Sequence, residues 1–213
     1  MKWSLSFLVA TLCVVGSIAL VAQTVTVNFD KDEPGKPPAG FSFMLTGNGR
    51  PGIWVVRRDD PMHGKVLVQT DADTTDYRFP VAFYNDFTAA NVTVSVEFKP
   101  LSGKGDQGAG IVWRFRDKDN YYLTRCNALE DNCTIYHVIK GRRQAFQNKS
   151  VKVASNVWHT LVVEATGDHF VVKYDGNQVL DARDQTFKDD GKVGLWTKAD
   201  SVIAFDNFTA SGK

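Results

Sequence analysis

The chain has 213 residues, of which 43% are hydrophobic, and its 25 lysines and arginines nearly balance its 24 aspartates and glutamates. This composition excludes a disordered tail and a polybasic arm that binds nucleic acid. The balanced charge also argues against a general attraction to polyanions or anionic membrane surfaces. We therefore expect no nucleic-acid partner.

The first 22 residues have the pattern of a secretory signal peptide. Lys2 supplies the positive start, residues 7–22 are mostly apolar, and Ala19 and Ala22 are small residues suited to cleavage. A membrane anchor is the alternative, but the apolar run is short for a span of about 20 residues. We predict a signal peptide at residues 1–22 and one domain at 23–213, located outside the cell or in the periplasm and free of the membrane after cleavage.

The rest of the chain divides into short segments rich in valine, isoleucine and aromatic residues. Of the 24 acidic residues only Glu33, Glu97, Glu130 and Glu164 are glutamates, and aspartate favours turns over helices. About a dozen strands at roughly ten-residue spacing, with no helical period between them, predict an all-β, two-sheet antiparallel sandwich. In chain order the predicted strands are 24–29, 40–45, 53–57, 65–69, 77–83, 92–99, 109–116, 121–127, 134–139, 158–165, 169–174, 191–196 and 203–210.

Two cysteines, Cys126 and Cys133, remain once the signal peptide is set aside. Export leads to an oxidising compartment, where these two can form a disulfide. Such a bridge closes a loop of about eight residues and stabilises the fold by about 2–3 kcal/mol in the chain-entropy model.

The predicted hairpin at 109–127 has the highest density of arginine and aromatic residues in the chain. Strand alternation places Val112, Arg114 and Arg116 on one face and Ile111, Trp113 and Phe115 on the other. Arginine forks on one face, with Arg125 and Asn127 on the next strand, suit recognition of sugar hydroxyls or a carboxylate. A solvated outer face, with arginines lying over aromatic rings, is an equal alternative.

Other residues carry weaker signals. Trp196, at the end of a strand, is a candidate for stacking on a sugar ring. Glu130 and Asp131 are weak candidates for the two carboxylates that glycoside hydrolysis needs, because adjacent strand residues point in opposite directions. The glycines at 103–108 match G-x-G-x-x-G, but a strand follows them where a nucleotide site needs a helix, so we predict a hairpin loop.

Metal-binding patterns are also weak. The acidic segments 71–76 and 117–120 are more typical of solvated turns than of calcium loops. Asp30 and Asp206 form a calcium candidate if the terminal strands pair. The four histidines, His63, His137, His159 and His169, are scattered, so their spacing predicts no zinc site.

A set of ordered motifs then resembles a known superfamily. It consists of GAGIVWRFRD at 108–117, NYY at 120–122, WHTL at 158–161, Asp175-Gly176, GKVGLWT at 191–197 and FDNF at 205–208. In this order they resemble the concanavalin A-like lectin/glucanase superfamily, specifically bacterial exported jelly-roll domains related to the laminin-G-like and 3-keto-disaccharide hydrolase groups.

The resemblance implies two curved antiparallel sheets whose concave face, in many relatives, receives a glycan. Some relatives are catalytic and many only bind. The Glu-x-Asp-x-x-Glu motif of the laminarinase-like branch is absent from this sequence, which rejects that chemistry. In relatives that bind calcium near the chain ends a last-strand aspartate is a ligand, and Asp206 has a comparable position.

The leading hypothesis is therefore an exported, lectin-like domain that binds carbohydrate through Arg114, Arg125, Asn127 and Trp196, without a required cofactor. The first alternative is a glycoside or 3-keto-sugar hydrolase or lyase that uses Glu130, Asp131 or an aspartate of segment 71–76. The second is an interaction module with no small ligand.

Overall fold

A computed structural model describes residues 23–60 and 62–212, so the predicted signal peptide lies outside the described residues. Within this part of the chain no helix is long and apolar enough to cross a membrane. The described residues form fifteen strands: β1 Gln23–Val27, β2 Phe41–Gly47, β3 Trp54–Asp60, β4 Gly64–Gln69, β5 Arg78–Tyr84, β6 Val92–Ser102, β7 Gly108–Asp117, β8 Asn120–Asn127, β9 Asn132–Ile139, β10 Arg142–Ser150, β11 His159–Thr166, β12 His169–Tyr174, β13 Asn177–Arg183, β14 Lys192–Thr197 and β15 Val202–Gly212.

The strands form two sheets. The eight-stranded sheet has the order β13-β12-β11-β6-β15-β4-β3, with β1 also paired to β15, and the seven-stranded sheet has the order β10-β9-β8-β7-β14-β5-β2. Every pairing within them is antiparallel. The predicted all-β sandwich is therefore confirmed.

The main core lies between the sheets and contains many aromatic side chains. Trp113 of the seven-stranded sheet stacks on Tyr122, with ring centroids 5.4 Å apart, and meets the edge of Phe170 from the other sheet at 5.3 Å. All three side chains are fully buried. Burial of one such side chain stabilises the fold by about 1.5–3 kcal/mol, so this contact holds the two layers together.

The sequence analysis did not predict two of the strands, and both are edge strands. β10 ends the seven-stranded sheet and β13 ends the eight-stranded sheet. All nine residues of β10 are exposed or half-buried. An edge strand with a solvated face lacks the apolar alternation that identifies inner strands.

The last strand changes partners along its length. β15 pairs with β4 at Ile203–Phe205 and with β1 from Phe208 onward. Its pairing with β6 shifts register between Asp206 and Thr209, where Asn207 has a φ of 48°. Asp206 therefore lies at the junction of β1, β4, β6 and β15.

Candidate functional site

The seven-stranded sheet has a second apolar cluster on the face that points away from the core. Beyond Tyr121 and Leu123 on β8, the same face continues as Arg125 and Asn127, because side chains alternate along a strand. The face thus becomes polar toward the β8–β9 turn. Its apolar members, all buried, are Phe79, Val81, Phe83, Val112, Phe115, Tyr121, Leu123, Tyr136, Val138 and Trp196.

Arg125 is held by two side chains of the β8–β9 hairpin. Its Nη2 donates to Glu130 Oε2 at 2.6 Å and its Nη1 donates to Asn132 Oδ1 at 2.5 Å. The guanidinium carbon also lies 5.8 Å from the ring centroid of Tyr136. The arginine fork is therefore fixed before any ligand arrives.

The loop before β7 is built around the carboxylate of Asp200. The backbone N–H groups of Lys104, Gly105 and Asp106 donate to it at 2.6, 3.0 and 2.8 Å. Burial favours the neutral acid, but these hydrogen bonds outweigh it and lower the pKa of Asp200. A strand follows the loop, as predicted. The N–H groups of the loop bind the carboxylate of Asp200, which belongs to the protein itself.

This loop positions Asp106 against two partners. Asp106 Oδ1 accepts a hydrogen bond from Asn127 Nδ2 at 2.6 Å, and Oδ2 lies 2.7 Å from Lys198 Nζ. Lys198 in turn lies 3.1 Å from the exposed carboxylate of Asp76. Burial raises the pKa of Asp106, and the hydrogen bond and charge of Lys198 oppose that shift.

We call Asp106, Arg125, Asn127, Glu130, Asn132 and Lys198 the Arg125 cluster. A Cβ placed on Gly108 would lie 3.0 Å from Asp106 Oδ1 and 3.7 Å from Arg125 Cδ, so both side chains converge over this glycine. The cluster contains two cationic and two acidic side chains, so its formal net charge is zero. Such a group offers donors and acceptors in fixed directions to a neutral ligand.

Burial also acts on Glu130. Burial favours its neutral form, but the charge of Arg125 and hydrogen bonds from Arg125 and Asn132 outweigh it and lower the pKa of Glu130. Glu130 and Asp106 therefore differ in protonation behaviour, since the pKa of one is lowered and that of the other is raised.

Arg143 of β10 covers the aromatic residues beside the cluster. Its guanidinium carbon lies 4.5 Å from the ring centroid of Tyr136, 4.7 Å from Phe79 and 5.5 Å from Trp196. Its Nη1 is buried without a hydrogen-bond partner. The arginine and the rings thus form a layered platform next to the polar groups.

The predicted alternation of β7 is wrong at its end. Arg114 has a φ of 46°, and the pairing with β8 shifts register between Trp113 and Asp117. This bulge turns Phe115 onto the outer face with Val112, and it turns Arg114 away. Arg114 instead donates to three backbone carbonyls, at Ala90, Gly167 and Phe187, so the structure separates it from Arg125.

The other predicted binding residues lie together. Arg125 and Asn127 belong to the cluster, although Asn127 is fully buried and orients Asp106. Trp196 is next to them but is also fully buried, stacked on Phe79 at 5.3 Å beneath Arg143. The ring of Trp196 is therefore not exposed to a sugar in this structure.

Sequence reasoning missed Asp106, Asn132, Arg143 and Lys198. Asp106 lies in the glycine-rich loop at 103–108, and Lys198 directly follows β14, the strand that contains Trp196. Both are therefore close in sequence to residues that the sequence analysis discussed. Only the strand order of the sheet, which places β14 beside β7, brings them together.

The proposed carboxylate pair does not converge. Glu130 binds Arg125, whereas Asp131 Oδ2 accepts from Lys152 Nζ at 2.8 Å and Asp131 Oδ1 accepts from the Val153 N–H. The two residues do point in different directions, but they lie in the turn between β8 and β9, so strand alternation is not the reason.

The acidic segment at 71–76 anchors arginines. Asp71 Oδ1 accepts from Nη2 of the buried Arg78 at 2.9 Å. Asp73 accepts from the Arg50 N–H at 2.8 Å, and this bond together with bonds from Thr75 lowers the pKa of Asp73. Among these aspartates, Asp76 reaches the Arg125 cluster, through Lys198.

Asp30 and Asp206, the calcium candidates, have different neighbours. The Asp30 carboxylate accepts from the backbone N–H of Lys65, and the Asp30 backbone carbonyl accepts from the Lys65 ammonium. Asp206 lies beside His63 and Glu97. Calcium takes six to eight oxygen donors, and an imidazole nitrogen does not fit that set. A calcium ion bound by Asp30 and Asp206 stays a prediction.

The predicted disulfide is present between Cys126 and Cys133, whose Cα atoms are 4.1 Å apart. The two residues are directly opposite each other on β8 and β9. Arg125 and Asn132, which adjoin Cys126 and Cys133 in the chain, are members of the Arg125 cluster. The bridge therefore clamps the hairpin that carries much of the site.

Comparison with known families identifies the domain. The profile of a family described as a 3-keto-alpha-glucoside-1,2-lyase-like domain matches residues 35–210, which include almost all of both sheets. The chain belongs to this 3-keto-alpha-glucoside-1,2-lyase-like family.

Relatives of this family member include a curated protein and solved structures. The levanase of Bacillus subtilis (strain 168) is 29% identical over 163 residues, which are 74% of this chain and 21% of the levanase. The chain thus spans about a fifth of that relative. The structure of carbohydrate-binding module CBM66 from Bacillus subtilis has a TM-score of 0.62 at 23% identity and covers 80% of this chain and 95% of the module. A Bacillus subtilis protein with a galectin-like fold has a TM-score of 0.54 at 11% identity, covering 80% of this chain and 90% of its own. These two structures support the jelly-roll fold.

Proposed function

We propose that this domain binds a neutral carbohydrate at the Arg125 cluster. The observation that carries the proposal is the charge balance of a preorganised polar group in which Arg125 and Asp106 converge over Gly108. A neutral sugar presents many hydroxyls and no charge. A site for it therefore needs hydrogen-bond donors and acceptors in fixed positions, and it needs no net charge. The family and the names of the levanase and of the carbohydrate-binding module support this ligand class.

The exposed edge of the cluster sets how a sugar can approach. The side chain of Glu130 is 41% exposed and that of Lys198 is 16% exposed, whereas Arg125 is nearly buried. A ligand would therefore meet Glu130, Asn132 and Lys198 first. Arg125 would act mainly by holding Glu130 and Asn132 in place and by offering any N–H that they leave open.

Levan is the first probe, because the name of the levanase relative refers to it. Isothermal titration with levan, with an uncharged glucan and with an acidic polysaccharide separates a preference for neutral sugars from charge-driven binding. We expect binding to a neutral polysaccharide, and we expect Arg125→Lys to weaken it about 10–100-fold because the bidentate fork is lost.

Arg183→Lys is the matched control. Arg183 forms an exposed ion pair with Asp168 at 2.6 Å on the other sheet, so its exchange should leave the affinity unchanged. Binding to the acidic polysaccharide alone, or equal losses in both variants, would contradict the proposal.

A catalytic role is a second candidate, favoured by the opposed pKa shifts of Asp106 and Glu130. A lyase acting on a 3-keto-glucoside needs one group that removes the proton next to the keto carbon and another that protonates the departing oxygen. Two carboxyl groups with pKa values moved apart can share those tasks. Release of the aglycone from a 3-keto-glucoside by the wild type, and its loss in Asp106→Asn with sugar binding retained, would support this role.

We also infer that the domain works outside the cytoplasm. The Cys126–Cys133 bridge supports this location, because structural disulfides persist in oxidising compartments. Fractionation of the natural host, followed by titration of free thiols in the unreduced protein, tests the location. Protein found in the cytoplasm with two free thiols would exclude it.

A further inference from the structure

Three side chains with metal-binding atoms meet on the outer face of the eight-stranded sheet. His63 Nδ1, from the loop between β3 and β4, lies 3.1 Å from Asp206 Oδ2 and 3.4 Å from Glu97 Oε2. Within the described part of the chain, this is the one group of three or more histidine, cysteine or acidic side chains whose ligand atoms lie within 4.8 Å of one another. The sequence spacing gave no sign of it.

The distances match the edges of a tetrahedral site. Zinc binds imidazole nitrogen and carboxylate oxygen at about 2.0–2.2 Å, which places neighbouring ligand atoms about 3.3–3.6 Å apart. The two measured separations from His63 Nδ1 are within about 0.2 Å of that range. Two of the three ligand separations are thus close to the edges of a tetrahedral zinc site, and all three lie within 4.8 Å.

The charges at the site favour a bound cation. Glu97 and Asp206 are directly opposite each other on β6 and β15, and like charges in that position destabilise a sheet. Asp206 is only 3% exposed, so water screens its charge poorly.

The surroundings hold the three side chains in place. The ring of His63 stacks on Trp158, with centroids 4.0 Å apart. Asn207 donates through its backbone N–H to Asp206 Oδ1 at 2.7 Å and through Nδ2 to Glu97 Oε2 at 2.8 Å. Second contacts of this kind orient metal ligands and increase affinity.

We propose that His63, Glu97 and Asp206 bind a divalent transition-metal ion, for which zinc is the reference. One imidazole and two carboxylates are a donor set that zinc accepts and calcium does not. Three protein donors leave the fourth position of a tetrahedral ion to water. The ion would fasten the loop before β4 to β6 and β15, on the sheet opposite the Arg125 cluster.

Isothermal titration of the untagged, metal-stripped protein with zinc chloride, and separately with calcium chloride, tests the proposal. We expect one zinc ion per chain, no comparable calcium binding, and a higher melting temperature with zinc. His63→Gln and Glu97→Gln should each lower zinc affinity at least tenfold, since loss of even an outer-shell partner typically costs about 10–100-fold. Glu97 is partly exposed, so its variant keeps the test valid if replacement of His63 disturbs the loop.

His169→Gln is the matched control. His169 lies 2.8 Å from Asp181, which gives a histidine–aspartate pair without a third ligand, and its exchange should leave zinc binding unchanged. No zinc binding below millimolar concentration would overturn the proposal, as would equal binding by His63→Gln or a preference for calcium. Levan binding is measured separately, so failure here leaves the sugar site unaffected.

Discussion

Arg125 and Glu130 form an ion pair of 2.6 Å between a guanidinium that is 4% exposed and a carboxylate that is 41% exposed. The pair spans the tip of the β8–β9 hairpin and fixes the direction of both side chains. Because the arginine is nearly buried, loss of the carboxylate charge would leave a desolvated cation without its main partner. The pair therefore links the protonation of one exposed acid to the geometry of the whole site.

Binding of a neutral sugar should depend on pH through Glu130. The pKa of Glu130 is lowered from its ordinary value of 4.5, so the ion pair is complete above that value and is lost as the pH falls through the lower, folded pKa. We expect Glu130 to cause no change in levan affinity above about pH 4.5 and a decline below it. Titration calorimetry across this range measures it.

In Glu130→Gln the acid decline should disappear and affinity at neutral pH should drop. Glu164→Gln is the control, because Glu164 forms a half-exposed pair with Lys173 on the other sheet. An unchanged acid decline in Glu130→Gln would show that another group controls it.

Arg143 should shield the aromatic platform. Replacement of Arg143 by alanine removes a guanidinium that lies over Tyr136, Phe79 and Trp196. We expect a loss of about 1–2 kcal/mol in the free energy of unfolding, from lost cation–π contact and lost packing. Quenching of tryptophan fluorescence by acrylamide should increase, because Trp196 becomes accessible.

Arg142→Ala is the control for that change. The side chain of Arg142, next to Arg143 on β10, is exposed and points to the opposite face. If both variants quench alike, Arg143 does not cover Trp196.

Particular residues show how far sequence reasoning reaches. Strand alternation placed Arg125 and Asn127 on one face, because β8 is regular from Tyr121 to Asn127. The same rule failed at Arg114, where a bulge reverses the alternation. No residue pattern in the sequence predicts that bulge. Lys198 and His63 depend on contacts between strands far apart in the chain, which a single sequence does not encode locally.

The disulfide should support both stability and binding. Cys126→Ser/Cys133→Ser removes the bridge that closes a short loop, and we expect the free energy of unfolding in urea to fall by about 2–3 kcal/mol. Levan affinity should also fall, because Arg125 and Asn132 adjoin the bridge on β8 and β9. Addition of a reductant should reproduce both losses in the wild type and change nothing further in the double variant.

Asp200 should control the position of Asp106. Asp200→Asn keeps one acceptor oxygen but removes the charge that three backbone N–H groups bind. A hydrogen bond to a charged group contributes about 1.5–3 kcal/mol, so we expect the free energy of unfolding in urea at neutral pH to fall by at least that order.

The pH dependence of this loss follows from the ionisation of Asp200. Since the pKa of Asp200 is lowered, the wild type keeps this stabilisation above the ordinary value of 3.8 and loses it as the pH falls through the folded pKa. The gap between wild type and variant should therefore narrow in acid. Asp189→Asn, which alters an exposed pair with Arg116, should show no such gap at either pH. A gap that stays constant into acid would mean that the shape of the Asp200 side chain, and not its charge, holds the loop and with it Asp106.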